Sequence, residues 1–285
     1  VRDAAVRRFV ILLILFSGVF YAAVLLSPAV RKGWLSYSPF FMWCPGAAAL
    51  LTQWSLQRNV RGLGWRLGSL RYYAFAFAFP LAFCIPVYAA VWMLGLGSFD
   101  ADALAPLRAR FGLPSGVPGN VIFLILAGIT APLGIVATLG EELGWRGFLV
   151  PRLASRMDPA RATLLIGALW ALWHLPVQYA VLPLFLPHLP FWYASACFTI
   201  SVLAISFVYT WLRLRSGSVW PAALLHATSN GFQGAFESVT RHNELTSYFT
   251  YEFGLGFALI LPLLAIPFFR SMRAAPAGAD SATPP

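Results

Sequence analysis

Eight apolar runs, each close to the length of a membrane crossing, dictate what this chain can fold into. They lie near 9–26, 39–56, 72–96, 120–140, 162–182, 191–212, 218–236 and 251–269. A helix rising about 1.5 Å per residue needs about 20 residues to cross about 30 Å of hydrocarbon. Inside lipid every backbone N–H and C=O must be bonded within the protein, which leaves helices or a closed barrel. No run alternates apolar and polar residues as barrel strands do, so helices are expected. Composition agrees: 59% of the 285 residues are hydrophobic and 11% charged, against about 25% charged in a soluble domain. The expected fold class is all-α, a polytopic membrane protein of about eight transmembrane helices. One integral-membrane domain over residues 1–273 is expected, followed by a disordered Ala-, Pro-, Gly- and Ser-rich tail over 274–285.

The net charge of +10 does not point to nucleic acid, because the basic residues are scattered through short loops between apolar runs. They read instead as orientation signals. With the N-terminus in the cytoplasm, 15 of the 20 basic residues fall on the cytoplasmic side. The opposite side keeps Arg31, Lys32, Arg108, Arg110 and Arg241. The bias favours both termini in the cytoplasm, which agrees with an even number of helices, and a bacterial inner membrane is the expected location. The first run follows Arg2, Arg7 and Arg8 as a signal peptide would, but it is long for one and Ser27-Pro28-Ala29 is a poor cleavage site. A retained helix is expected. Cys44, Cys84 and Cys197 each lie in an apolar run at spacings that fit neither zinc nor redox motifs.

"LGWRLG" at 63–68 and "RGFLVPRLASRM" at 146–157 read as interfacial, the second as a short amphipathic helix at the headgroups. Asp158-Pro159 reads as N-cap and first helical residue of the fifth helix, and Ser218 with Pro221 as the same for the seventh.

Three stretches carry chemistry. In "GEELGWRGF", residues 140–148, Glu142 and Arg146 are one helical turn apart on one face, while Glu141 projects about 100° away. Glu142 is expected to pair with Arg146, which leaves Glu141 to face something else. Gly140, Gly144 and Gly147 leave room for other helices to approach. In "ALWALWHLP", residues 168–176, Trp170 precedes His174 by one turn, and Pro176 is expected to kink the helix beside it. In "LLHATSNGF", residues 224–232, His226 and Asn230 share a face, and Gln233 returns near it. His188 and His242 lie outside the apolar runs and read as surface residues. A carboxylate, two imidazoles and an amide on three helices suffice to activate water and stabilise an oxyanion. His and Glu also bind zinc. No HExxH or GxSxG motif occurs. With upright helices the rise per residue leaves Glu141 near the membrane edge and His174 deeper, so tilts, the kink or a deeper end to the fourth helix are required.

In this order the motifs resemble those of the CPBP intramembrane protease family, which includes the type II CAAX prenyl proteases and proteins like the lysostaphin-resistance protein. Its pattern is EExxxR, FxxxH and HxxxN. Glu141-Glu142 with Arg146 matches the first, His226 with Asn230 the third, and Trp170 with His174 the second, with tryptophan in place of phenylalanine. The resemblance implies eight helices around a cytoplasm-facing cavity and endopeptidase activity near the C-terminus of a membrane-associated, CAAX-type peptide or protein. Glu141 would activate water with His174 assisting, His226 and Asn230 would hold the oxyanion, and Glu142, Arg146 and Trp170 would position them. Metal dependence stays open: Zn2+ on Glu141, His174 and His226 and a metal-free glutamate mechanism fit the same side chains. Expected partners are the substrate and the lipid bilayer, with no nucleic acid. Two other classes use similar residues: a proton-coupled transporter, against which no internal repeat is seen, and a non-catalytic membrane scaffold or immunity protein.

Overall fold

The computed structural model describes residues 2–104, 112, 114, 116–125, 128–129 and 131–274. Arg108, Arg110 and all of the expected disordered tail but Ala274 lie outside the described residues. The fold is helical: α1 (Arg2–Leu26), α2 (Trp34–Met42), α3 (Cys44–Gln57), α4 (Leu70–Ala78), α5 (Leu81–Met93), α6 (Ile135–Glu142), α7 (Pro159–Phe185), α8 (Phe191–Ser216), α9 (Trp220–Ser238) and α10 (Leu255–Ala274). Shorter helical pieces lie between these. The one sheet among the described residues is a two-stranded antiparallel ribbon, β1 (Gly97–Phe99) with β2 (Thr240–His242), in which Ser98 faces Arg241.

Among the described residues five spans are long and apolar enough to cross a membrane: Ala4–Leu26, Leu70–Met93, Pro159–Phe185, Phe191–Ser216 and Leu255–Arg273. The expected run 39–56 is divided between α2 and α3 at Trp43, with Pro45 opening α3. Within the run 120–140, Gly119–Ile125 and α6 are helical, and residues 126, 127 and 130 between them lie outside the described residues. The run 218–236 forms α9, a single helix of 19 residues, but His226, Asn230, Gln233 and Glu237 make it too polar to face lipid. Hydropathy counts side chains and does not register where backbone bonding is interrupted.

The helix carrying the two glutamates runs deeper than its apolar run suggests. α6 passes directly into a π-helix, Leu143–Leu149, and then into Val150–Ala154. Every residue from Thr138 to Val150 is buried. Residues 146–150 are therefore interior, and the expected amphipathic helix at the headgroups does not form there. About three further helical turns follow Glu141, so it does not stand at the end of its helical stretch.

Small residues permit the packing that buries it. A Cβ on Gly140 would come within 2.6 Å of the Met42 carbonyl oxygen, and one on Gly46 within 2.6 Å of the Gly140 oxygen. The chain thus crosses α3 with backbones in contact, as small-xxx-small pairs do. The π-helix widens the turn and disturbs carbonyl pairing. Two of its carbonyls accept from arginines: Arg213 Nε donates to Arg146 O at 3.0 Å and Arg152 Nη1 to Phe148 O at 2.9 Å.

α7 begins as its sequence indicates, with the Asp158 carboxylate accepting from Arg161 N at 3.0 Å and Pro159 at the first position. At α9, Ser218 Oγ accepts from Trp220 N at 3.2 Å, although the helix starts one residue later than a simple Ser cap would place it. Helix α7 continues through Pro176 to Phe185 as one element. Its Trp173 stacks on Phe41, centroids 4.0 Å apart, and its indole N–H donates to Ser17 Oγ at 2.7 Å. These contacts lock α1, α2 and α7 together. All three cysteines are buried and free.

Candidate active site

Adjacent residues on α6 diverge as the helical period requires. Glu142 points into the protein, where one oxygen, Oε1, takes two partners: Arg146 Nη1 at 3.1 Å and His226 Nδ1 at 2.9 Å. The Arg146 contact is the expected one. The His226 contact joins α6 to α9 and was not legible from spacing. Arg146 is itself fully buried. Its guanidinium lies between two ring faces, 4.4 Å from the Trp170 centroid and 4.2 Å from that of Tyr209, and it donates to Ser206 Oγ at 3.4 Å. Cation–π contact replaces the water that the guanidinium has lost. Nearby hydroxyls tie α9 to its neighbours: Thr138 Oγ1 of α6 donates to Ala223 O at 2.8 Å, and Thr228 Oγ1 donates to Ala76 O of α4 at 2.9 Å.

Glu141 faces the other way. It lines a cavity of about 340 Å³ together with Trp170, His174, His226 and Asn230. The structure thus brings the four expected catalytic residues and Trp170 to one hollow, with Glu142 and Arg146 behind its wall. Glu141 Oε2 accepts from the Trp170 indole N–H at 2.6 Å. The tryptophan is more than a packing substitute for phenylalanine: its N–H fixes Glu141 while its face covers Arg146. Only the presence of a donor-bearing ring signalled this in the sequence. Ser206 and Tyr209, one turn apart on α8, were missed because neither forms a motif with the others. Glu252 also lines the cavity, and was missed because it stands at the edge of its apolar run.

The hydrogen bonds fix the imidazoles differently. His174 Nδ1 lies 2.9 Å from the Trp170 carbonyl. A carbonyl only accepts, so Nδ1 carries the proton and, in the neutral ring, Nε2 keeps a lone pair. On His226 the carboxylate of Glu142 accepts from Nδ1. His226 Nε2 can donate to an oxyanion when the ring is doubly protonated. Asn230, one turn beyond His226, is exposed at the open side of the cavity.

The ligand set that the zinc alternative would use, Glu141, His174 and His226, lines the same cavity. Among the described residues no group of three or more His, Cys, Asp or Glu side chains is disposed to hold an ion. Glu141 Oε2 is taken by an indole N–H, and the Nδ1 atoms of both histidines are bonded within the protein. A carbonyl- or carboxylate-bonded Nδ1 is also how a zinc-ligating histidine is oriented to bind through its other nitrogen, so these bonds leave the zinc and the metal-free alternatives both standing.

Of the histidines expected at the surface, His242 Nε2 meets Glu237 Oε1 at 2.8 Å beside the ribbon. Its hydrogen bond to Glu237 raises the imidazole pKa above its usual value. In the same ribbon Arg241 pairs with Asp100 at 2.7 Å and, chiefly through that hydrogen bond, lowers the Asp100 pKa.

Comparison with known proteins gives a family likeness over the motif region. Residues 118–232 match a family model described as type II CAAX prenyl endopeptidase Rce1-like. The chain is also similar to a CAAX prenyl protease 2 of Methanococcus maripaludis, with 31% identity over 118 residues. That alignment covers 39% of this chain and 38% of the relative, so the likeness spans well under half of either protein.

Proposed function

We propose, from the match of residues 118–232 to the Rce1-like CAAX protease model and from the site's geometry, that the chain is an intramembrane endopeptidase in which Glu141 activates the attacking water. The substrate is a membrane-associated peptide or protein cut near its C-terminus, with prenylated CAAX-type sequences as the first class to test. The observation that carries this reading is the convergence of Glu141, His174, His226 and Asn230 on one cavity.

In this mechanism the free oxygen of Glu141 takes a proton from water, and the water oxygen attacks the scissile carbonyl carbon. His174 Nε2 accepts a hydrogen bond from the same water and orients it. Negative charge grows on the former carbonyl oxygen, where Asn230 Nδ2 and the Nε2–H of protonated His226 donate to it. Glu141 then returns its proton to the leaving amine, and the C–N bond breaks. Glu142 holds His226 in the donating orientation, and Arg146 offsets the charge of Glu142. No step runs through a metal. The basic bias of the sequence supports a cavity open to the cytoplasm.

The test is cleavage of a farnesylated CAAX peptide by purified protein, with products identified by mass spectrometry. A Glu141→Gln variant is expected to lose nearly all activity. Cleavage by that variant at the wild-type rate would overturn the assignment.

A further inference from the structure

One wall of the cavity has no role in the proposed mechanism. Glu252 lines it from the turn that leads into α10, and its carboxylate makes no hydrogen bond or ion pair among the described residues. The turn holding it is closely fixed. Tyr251 takes a left-handed conformation, φ 60°, which non-glycine residues adopt rarely. A Cβ on Gly254 would meet the Thr250 backbone N at 2.6 Å, and one on Gly256 the Phe249 oxygen at 2.6 Å. Thr250 is 1% exposed and donates to Thr246 O at 3.2 Å. Tyr193 anchors the same segment by donating to Tyr248 O at 2.6 Å. The fold therefore presents Glu252 to the cavity from a rigid strap.

Carboxylates outnumber cations here. The chain carries a net +10, yet among the described residues no lysine or arginine lines this cavity, while two carboxylates, Glu141 and Glu252, do, and the His226 imidazole is bonded to Glu142. The Arg146 guanidinium, which does not line the cavity, is enclosed by Trp170 and Tyr209 and bound to Glu142. Three further polar atoms in the lining are buried and unpartnered: Ser201 Oγ on α8, and Ser229 Oγ and Gln233 Oε1 on α9, in residues 3%, 4% and 7% exposed. A carboxylate and an amide oxygen accept hydrogen bonds and do not donate them. Unpaired buried acceptors are costly, so a ligand that supplies N–H groups here is favoured over one that does not.

We propose that Glu252, with Gln233 and Ser201, forms a substrate subsite that takes a positively charged side chain, lysine or arginine, of the bound peptide. The proposal rests on the peptidase reading and specifies its substrate class. The apolar lining, including Phe83, Phe257 and Leu261, suits the alkyl stem of such a side chain. The ammonium or guanidinium then meets Glu252 away from bulk water, where charge complementarity discriminates strongly. A free C-terminal carboxylate is disfavoured at the same place, so the peptide end lies elsewhere.

The test uses the full chain in nanodiscs and fluorescent dodecapeptides in sets differing at one residue: lysine, acetyl-lysine or glutamate, scanned along the peptide. Binding and cleavage are both measured. At one position the lysine peptide is expected to bind at least tenfold more tightly than the acetyl-lysine peptide. That ratio is expected to fall to near one in Glu252→Gln and to shift towards glutamate in Glu252→Lys. Equal binding of lysine and acetyl-lysine peptides by the wild type at every position overturns the proposal, whether or not the variants fold. A lysine preference that persists in folded Glu252→Gln also overturns it, as does absence of binding by all the peptides. Preference in binding without any cleavage leaves the subsite standing and removes the peptidase reading. Cleavage without preference does the reverse.

Discussion

Helix α1 and the stretch Thr138–Val150 invert one another. On α1 the apolar side chains of Ile14, Leu15 and Val19 are 62%, 60% and 68% exposed. Between Thr138 and Val150 every residue is buried, and Glu141, Glu142 and Arg146 are among them. In water the first pattern would aggregate and the second would unfold. In lipid the first is an ordinary outer surface, and charge is tolerated where neighbouring helices supply its partners. The difference teaches that burial is the wrong guide to hydrophobicity here: the interior holds the chemistry and the surface holds the hydrocarbon.

The comparison can be broken most sharply at Glu141. Glu141→Gln keeps the size of the side chain and removes the proton acceptor, so turnover should fall by about 10²–10⁴-fold, read in the peptide assay above. Next is Arg146→Ala. Removing one partner of a buried ion pair typically costs about 3–5 kcal/mol, and thermal unfolding in detergent should show a loss of that order. An unchanged melting temperature would mean that the stretch is not interior. Trp170→Phe sharpens the picture by keeping a ring over Arg146 while deleting the N–H that holds Glu141. A fall of about tenfold in kcat with little change in KM is expected, in line with one charge-assisted hydrogen bond. Equal loss in kcat/KM and in stability would assign the indole to packing alone.

A smaller effect belongs to His242. Its raised pKa means that the pair with Glu237 stabilises the fold fully below the ordinary histidine pKa, near 6.5. That contribution disappears as pH climbs through the elevated value. The imidazole is 37% exposed, and solvent screening keeps such pairs at about 0.2–1 kcal/mol. Melting temperature against pH should therefore fall slightly on the alkaline side, and His242→Gln should flatten the curve. Least of all is expected from Val19→Ala, which exchanges one lipid-facing apolar group for a smaller one and should alter stability by no more than about 0.5 kcal/mol.

What could be read in advance follows the range of the interaction. The Glu142–Arg146 pair and the shared face of His226 and Asn230 depend on helical period, and a period is written in spacing. The membrane class depends on summed hydropathy, which is also local. The bond between His226 and Glu142 joins residues 84 apart, and nothing in either motif specifies it. The same holds for the indole of Trp170 against Glu141 and for the rings around Arg146. The break in the run 39–56 was hidden because Trp43 and Pro45 interrupt a helix without lowering the hydropathy of the run. Glu252 was passed over because a single acid beside an apolar run resembles a loop residue until the turn is seen to aim inwards.

The enclosure of Arg146 also constrains how the protein is made. Ser206, Tyr209 and His226, which complete the surroundings of Arg146 and Glu142, lie 60 or more positions downstream on the chain. When the two glutamates and the arginine leave the ribosome, none of those companions has yet been synthesised. This segment cannot reach its finished setting until translation has passed residue 226, so its insertion is tied to the arrival of later helices.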